Sequence, residues 1–391
     1  MRITHATRIL IVIISIFSLV GCQKEDIPPV SSNERTIFMY LPWSTNLTEY
    51  FYNNISDMEK AISRRGLHNE RVIVFLSTSA SEAEMFEIVY ENGHCRRDML
   101  KEYTTPAFTT ETGLTAILND MKSYAPAANY AMIIGCHGMG WLPVEQSRGR
   151  AITDFVYHWK YTDVPQTRFF GGLTAEYQTD VTTLSQSLSN SGLKMDYILF
   201  DDCYMSSLEA AYDLRHVTDY LIACPTEIMV YGMPYSTMGE YLLAEKPDYA
   251  AICNAFYQFY SSYQYPYGTI AVTDCSQLDE LADLMKLIHS SYSLDNSQIT
   301  YIQRMDGYSP VIFYDFGDYV RTLCGNDSEL YGYFIALMEK VIPYKAHTER
   351  FYTASRGPIT VEQYSGITTS EPSSNSRTID YPQTSWYLAT H

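Results

Sequence analysis

Basic residues are scarce in this sequence: 27 lysines and arginines stand against 45 aspartates and glutamates, a formal net charge of −18 at pH 7. A chain this acidic repels nucleic-acid phosphates and anionic lipid surfaces, so we expect neither as a partner. The sequence also lacks any Cys-x-x-Cys pair, which argues against a zinc ribbon or a thioredoxin-like site. Apolar residues, in contrast, make up 46% of the chain, which is ample for a large buried core.

The N-terminus has a short apolar segment behind a basic start. The stretch from Ile9 to Val20 is apolar apart from two serines, and it is shorter than the roughly 20 residues that span a bilayer. A basic start, a short apolar segment and a small residue before the cleavage point are typical of a secretory signal. We therefore interpret residues 1–21 as a signal peptide and the polar residues 22–34 as a tether.

The end of the apolar segment, Leu19-Val20-Gly21-Cys22, resembles a bacterial lipobox, in which the cysteine thiol becomes lipidated. An ordinary signal peptide with an incidental cysteine is the alternative. The acidic residues that follow Lys24 also resemble the surface-export signal of some Gram-negative lipoproteins. The prediction is a chain anchored in the outer membrane by lipid on Cys22 only and exposed at the cell surface. Seven cysteines remain, an odd number that leaves at least one thiol free.

Apolar runs alternate with helical patterns along the chain. The predicted strands are residues 36–41, 71–76, 84–90, 130–135, 197–200, 220–223 and 269–273, and the predicted helices are 47–65, 111–124, 206–215, 249–263, 276–291 and 328–341. This alternation predicts an α/β fold with a mostly parallel sheet flanked by helices on both faces. We expect a main domain over 35–245, interrupted by a surface insertion at 141–180. A C-terminal extension or subdomain over 246–391 would pack on it.

Two of the apolar runs lead into reactive side chains. The run at 130–135 is followed by His137, and the run at 197–200 is followed by Cys203. Ligands bind outside the carboxyl ends of parallel strands, so the two side chains can face each other there. A thiol attacks an acyl carbon as thiolate, and a neighbouring imidazole promotes this step and protonates the leaving amine. The backbone N–H groups of Gly138 and Cys203 are candidates for an oxyanion hole.

Each of these residues alone has an ordinary structural explanation. A cysteine in an apolar segment is usually a small buried hydrophobe, and a single histidine is usually a surface or satisfied core group. Strand alternation points the neighbouring Cys136 to the opposite face from His137, so a metal site formed by these two has little support. The catalytic hypothesis rests on His137 and Cys203 together.

The order of the two motifs, His137-Gly138 and then Asp201-x-Cys203 with Met205 two residues further, resembles the clostripain peptidases, which are caspase-like cysteine enzymes. The resemblance extends over most of the mature chain. It implies a caspase-like fold and a cysteine endopeptidase that forms a thioester acyl-enzyme, with Cys203 as nucleophile and His137 as its partner.

The resemblance also implies that Asp201 lines the pocket for the substrate residue before the cleaved bond. A carboxylate there would pair with arginine or lysine, so we expect cleavage after these residues. Some family members have a second acid near the segment corresponding to 230–236, and this chain has none there. Glu227 is the nearest candidate, which puts a strict arginine preference in doubt. Asp202 also departs from the small residue usual at its position.

The sequence itself requires no cofactor. The family includes calcium-dependent members, so the resemblance leaves calcium open, but no acidic loop has recognisable calcium spacing and we assign no metal ligand. We expect a peptide or protein substrate and a monomeric chain. The alternative is a catalytically idle surface lipoprotein of the same fold that binds peptide or glycan, which would have no reason to keep both His137 and Cys203.

Family members are often processed by their own activity between the catalytic histidine and cysteine. The 141–180 insertion carries basic residues that a basic-specific peptidase could cut, namely Arg148, Arg150, Lys160 and Arg168. Self-cleavage in this insertion is therefore a hypothesis, and ordinary solubilising charge is the alternative.

Overall fold

The structure is a computed structural model, and it describes residues 33–144, 170–326 and 328–391. The predicted signal peptide, Cys22, most of the tether and the four basic residues of the insertion lie outside the described residues. Within the described ranges, no helix is both long and apolar enough to cross a membrane.

Thirteen strands are present among the described residues, and strands and helices are numbered here in chain order. They are β1 (Arg35–Leu41), β2 (Glu70–Ser77), β3 (Glu82–Glu91), β4 (His94–Thr104), β5 (Asn129–Gly135), β6 (Met195–Asp201), β7 (Thr218–Ala223), β8 (Thr269–Asp274), β9 (Tyr314–Asp315), β10 (Tyr344–His347), β11 (Arg350–Thr353), β12 (Gly357–Thr360) and β13 (Thr368–Thr369). Nine of them form one sheet in the order β10-β8-β7-β6-β5-β1-β2-β3-β4.

The centre of this sheet is parallel and its two edges are antiparallel. Strands β2, β1, β5, β6 and β7 run parallel to one another, whereas β3 and β4 at one edge and β8 and β10 at the other pair antiparallel. The predicted α/β sheet is confirmed. Strand β4 escaped prediction because its charged, mostly exposed residues show no apolar run.

Ten α-helices are found in the described part of the chain. They are α1 (Thr48–Arg65), α2 (Glu111–Tyr124), α3 (Val181–Asn190), α4 (Leu208–Leu214), α5 (Tyr235–Leu242), α6 (Tyr249–Ser262), α7 (Leu278–Ser291), α8 (Phe316–Cys324), α9 (Glu329–Val341) and α10 (Ser385–Thr390). The chain moves from β1 to β2 in one direction across the sheet, and from β5 through β6 to β7 in the other. Right-handed crossovers therefore place α1 on one face and α3 and α4 on the opposite face.

Local signals explain where several helices begin. The Thr110 side chain accepts the N–H of Gly113 at the start of α2, and the Ser207 side chain accepts the N–H of Ala210 at the start of α4. Such capping bonds satisfy N–H groups that have no partner inside the helix. The cap at Ser207 begins α4 four residues after Cys203, so β6, the candidate nucleophile and α4 follow one another without a long loop.

The described ends of the predicted 141–180 insertion are buried, so the expectation of a surface loop does not hold for them. The Trp141 indole N–H donates to Ser370 Oγ at 2.7 Å. The Phe170 ring packs edge-on against Phe200, with 5.7 Å between ring centroids. Large aromatic side chains at both ends remove apolar area from water, which fixes the segment to the core where it leaves and re-enters.

Candidate active site

His137 and Cys203 follow the ends of two adjacent parallel strands. Gly135 at the end of β5 is in register with Asp201 at the end of β6. His137 and Cys203 each lie two residues beyond this pair, so the fold brings the two predicted site residues to the same edge of the sheet. Both side chains are fully buried. Burial in a low-dielectric setting strengthens any electrostatic interaction between a thiolate and an imidazolium.

The imidazole of His137 has a partner that sequence reasoning missed. Its Nε2 lies 2.8 Å from Asn46 Oδ1. A carbonyl oxygen only accepts, so Nε2 carries the hydrogen and Nδ1 is the basic nitrogen of the neutral ring. Asn46 comes soon after β1, the strand next to β5, and so lies at the same carboxyl edge. The strand-end argument that singled out His137 would have singled out Asn46 as well.

The Cys203 thiol contacts the backbone of the segment that follows β7. The N–H of Ile228 donates to Sγ at 3.4 Å. An N–H donor aimed at sulfur favours the thiolate over the thiol, because a hydrogen bond is stronger to the charged form. The next residue, Tyr204, has a φ of +61°, a conformation that non-glycine residues rarely adopt. Its N–H donates to Thr226 O at 3.0 Å, which holds the turn beneath the thiol.

Asp202 ties the two strand ends together. Its Oδ1 accepts the N–H of Cys136 at 2.7 Å, and its Oδ2 lies 3.3 Å from the Cys136 thiol. The N–H of Gly171 donates to Cys136 Sγ at 3.1 Å, and the Gly171 carbonyl accepts the N–H of His137 at 3.0 Å. Gly171 has a φ of +119°, and a Cβ there would lie 2.2 Å from Tyr177 O, so only glycine fits. The unusual acid at position 202 therefore positions the backbone on which His137 stands.

We expect Asp202→Ala to lower kcat by about 10–100-fold with a smaller change in KM. The substitution leaves the buried N–H of Cys136 without its carboxylate, and a shift of about 1 Å in a catalytic group can cost about 100-fold. Asp202→Asn keeps an oxygen acceptor and should retain most of the rate. Steady-state kinetics and the melting temperature of both variants check this. An equal kcat loss in the two variants, or a loss of stability with unchanged kcat, would contradict a positioning role.

The Asp201 carboxylate is buried next to the nucleophile, with 1% of the residue exposed. Its Oδ1 accepts the N–H of Met233 at 2.8 Å, and its Oδ2 accepts the Tyr235 hydroxyl at 3.2 Å. Gly232, at a φ of +76°, passes so close that a Cβ would lie 2.4 Å from Asp201 Oδ1. Asp201 therefore holds the 232–235 segment in place beside Cys203, in addition to the role that the resemblance implies.

Glu227, the alternative acid for the substrate pocket, is occupied by internal partners. The Tyr204 hydroxyl donates to its Oε1 at 2.7 Å, and the N–H of Ala354 donates to its Oε2 at 2.9 Å. Burial raises the pKa of Glu227 to about 7. A carboxyl group that is partly protonated near neutral pH and bonded at both oxygens is a poor partner for a substrate cation. This leaves Asp201 as the better candidate.

Residues from the C-terminal part of the chain pack against the candidate site. The Tyr308 hydroxyl lies 3.3 Å from Met139 Sδ, two residues after His137. The Phe313 ring stacks on Tyr204, the residue after Cys203, with 4.9 Å between centroids. Strands β8 and β10 from this part also join the central sheet. The region predicted as an extension thus supports both loops that carry the candidate residues.

A thiol and an imidazole after neighbouring strands of a parallel α/β sheet define the class of caspase-like cysteine peptidases. The clostripain family model matches residues 39–341. The chain therefore belongs to the clostripain family and is a cysteine peptidase.

Several solved structures are similar to this chain. A secreted C11 cysteine protease from Bacteroides thetaiotaomicron, "iotapain", is 53% identical with a TM-score of 0.85, covering 92% of this chain and 99% of that chain. A clostripain from Bacteroides thetaiotaomicron ATCC 29148, in complex with the peptide inhibitor BTN-VLTK-AOMK, is 54% identical with a TM-score of 0.56, covering 57% and 99%. An inactive zymogen C11 protease from Parabacteroides distasonis is 27% identical with a TM-score of 0.76, covering 93% and 99%. A search of curated proteins finds no match.

Proposed function

We propose that this peptidase is an endopeptidase that cleaves after lysine or arginine, with Cys203 as nucleophile and His137 as its acid–base partner. The observation that carries the proposal is the burial of both side chains at adjacent strand ends, with the His137 tautomer set by Asn46. The matches to cysteine proteases support the reaction class, and the position of Asp201 supports the preference for a basic residue.

The proposed reaction follows from these atoms. The Cys203 thiolate attacks the peptide carbonyl carbon, and the oxygen takes the negative charge, which the N–H groups of Gly138 and Cys203 would stabilise. The leaving amine receives a proton from His137 Nδ1, and a thioester to Sγ remains. Water then attacks the thioester while His137 accepts its proton, which releases the acid and restores the thiol.

The proposed preference rests on the charge next to the nucleophile. The peptide of the inhibitor bound to the Bacteroides thetaiotaomicron clostripain is printed VLTK, which ends in the letter for lysine beside the AOMK group. That relative is 54% identical to this chain, so its ligand supports a lysine-accepting pocket here. In this chain the buried acid closest in sequence to Cys203, apart from Asp202 with its Cys136 contacts, is Asp201. A desolvated carboxylate attracts a cation more strongly than an exposed one.

A panel of fluorogenic peptides that differ only in the residue before the cleaved bond tests this function. The expected result is rapid hydrolysis of the lysine and arginine peptides and slow hydrolysis of the alanine and glutamate peptides. Iodoacetamide should stop the reaction, and a lysine peptide present in excess should slow the alkylation of Cys203. Binding without turnover would favour the idle-lipoprotein alternative, and equal turnover of all four peptides would contradict the basic preference.

Asp201→Asn should reduce the preference for lysine and arginine over alanine by at least about thirtyfold. Losing one partner of a buried charged pair costs about 2–5 kcal/mol, and about 1.4 kcal/mol corresponds to tenfold. Tyr235→Phe is the matched control, since it removes one hydrogen bond to Asp201 but keeps the charge. The ratio of kcat/KM values across the peptide panel measures the effect. An unchanged ratio in Asp201→Asn, or an equal loss in Tyr235→Phe, would show that another group selects the substrate.

We also propose that the protein is exported and held in the outer membrane by lipid on Cys22. The similarity to a C11 protease described as secreted supports export. Mass analysis of the membrane fraction should find a diacylglyceryl group on Cys22. A Cys22→Ala variant should leave that fraction.

A further inference from the structure

Two histidines and a glutamate outside the active site direct their side chains at one another. His289 lies near the end of α7, Glu371 lies in the loop after β13, and His391 follows α10. One ligand atom from each lies within 4.8 Å of the other two. His391 Nε2 is 3.3 Å from Glu371 Oε1, and His289 Nε2 is 3.7 Å from Glu371 Oε2. Three elements that are distant in sequence therefore converge on one point.

The opposite nitrogen of each histidine faces a backbone carbonyl. His289 Nδ1 lies 3.1 Å from Thr390 O, and His391 Nδ1 lies 3.3 Å from Tyr387 O. Because a carbonyl oxygen only accepts, Nδ1 carries the hydrogen in both rings, and Nε2 faces the Glu371 carboxylate. Histidines that ligate metals almost always donate their other N–H to a carbonyl or carboxylate in this way.

The spacing is close to that of a tetrahedral metal centre. Zinc binds histidine nitrogen and carboxylate oxygen at about 2.0–2.2 Å, so neighbouring ligand atoms lie about 3.3–3.5 Å apart. The edge from His391 to Glu371 already fits, and the edge from His289 to Glu371 needs a shift of a few tenths of an ångström. The side chains are 9%, 21% and 26% exposed for His289, Glu371 and His391, so an ion can enter from solvent. The Tyr319 hydroxyl, 3.2 Å from His289 Nε2, or a water can complete the shell.

We propose that His289, Glu371 and His391 form a binding site for a divalent transition metal, with Zn²⁺ as the best match. Two imidazoles and one carboxylate suit zinc, whereas calcium takes oxygen ligands and would leave both imidazoles unused. The ion joins α7, α10 and the loop that carries Glu371. The neighbouring residue Ser370 accepts the Trp141 indole N–H, so the ion fastens the C-terminal part beside the loop that follows His137.

Without metal, the same groups form an ion pair. The hydrogen bond from Glu371 raises the pKa of His391, so the ring would be protonated and Glu371 would be its counter-ion. The two states differ in one measurable respect: the ion pair has no affinity for zinc beyond that of other surface histidines.

Zinc titration of the mature Cys203→Ala protein, purified without a polyhistidine tag, tests the proposal. Removing the Cys203 thiol prevents metal capture at the active site. We expect one equivalent of Zn²⁺ to bind and to raise the melting temperature. Loss of an outer-shell partner alone typically weakens metal binding about 10–100-fold, so His391→Ala and Glu371→Gln should weaken it at least that much. His216→Ala, at an exposed histidine, is the matched control and should bind as the parent does.

Two further readouts keep the test decisive. Co²⁺ bound by imidazole and carboxylate lacks the thiolate charge-transfer absorption that cobalt bound to one of the remaining cysteines would show. His391 is exposed after α10, so His391→Ala should fold even where a change at the more buried His289 does not. Absence of one-to-one binding, a thiolate spectrum, or equal zinc affinity in His391→Ala and the parent would overturn the site.

Discussion

Cys203→Ala should abolish hydrolysis of lysine and arginine peptides while the protein stays folded. The substitution removes the only atom that forms the proposed thioester, and loss of a nucleophile costs at least about 10⁴-fold in kcat. The fold should survive, because alanine occupies nearly the same buried space as cysteine. Measuring kcat/KM together with the melting temperature separates the loss of chemistry from the loss of structure.

Cys253→Ala is the matched control for this result. Cys253 is a buried thiol on α6, and burial raises its pKa to about 12, so it remains a neutral, unreactive group near pH 7. The control should keep wild-type activity and lose only a little stability. Retained activity in Cys203→Ala, or equal inactivation of both variants, would refute Cys203 as the nucleophile.

His137→Ala should lower kcat/KM by at least about 10²-fold, which is the usual contribution of a positioned acid–base group. Without the imidazole, no group in the proposed mechanism promotes the thiolate or protonates the leaving amine. The rate of Cys203 alkylation by iodoacetamide should fall as well, since it reports the thiolate directly. Both quantities are measured on the same preparation.

Two companion variants show whether the loss belongs to His137 itself. Asn46→Ala leaves the imidazole in place but removes the 2.8 Å contact that fixes its tautomer, so its activity should fall between those of wild type and His137→Ala. His216→Ala, at an exposed position, should be fully active. A mild loss in His137→Ala would mean that another base serves the thiol.

The strands that bear the candidate residues could be predicted because they are buried on both faces. Strands β5 and β6 are continuous apolar runs, and a buried parallel strand has no polar face to break such a run. Strand β4, at the edge of the sheet, is mostly exposed and reads as a charged loop. The same reasoning missed α3 and α5, whose short apolar faces lie among serines and tyrosines.

Sequence alone determined the family, the α/β class and the two reactive residues, because strand periodicity and short motifs depend on neighbours along the chain. Tertiary structure decided which groups surround those residues. Asn46 on His137, Asp202 on the Cys136 backbone and the zinc-site residue Glu371 between two histidines are contacts across dozens to hundreds of positions. Hydrogen bonds and metal ligation act over about 2–3 Å in space, and only the folded chain brings such distant residues within that range.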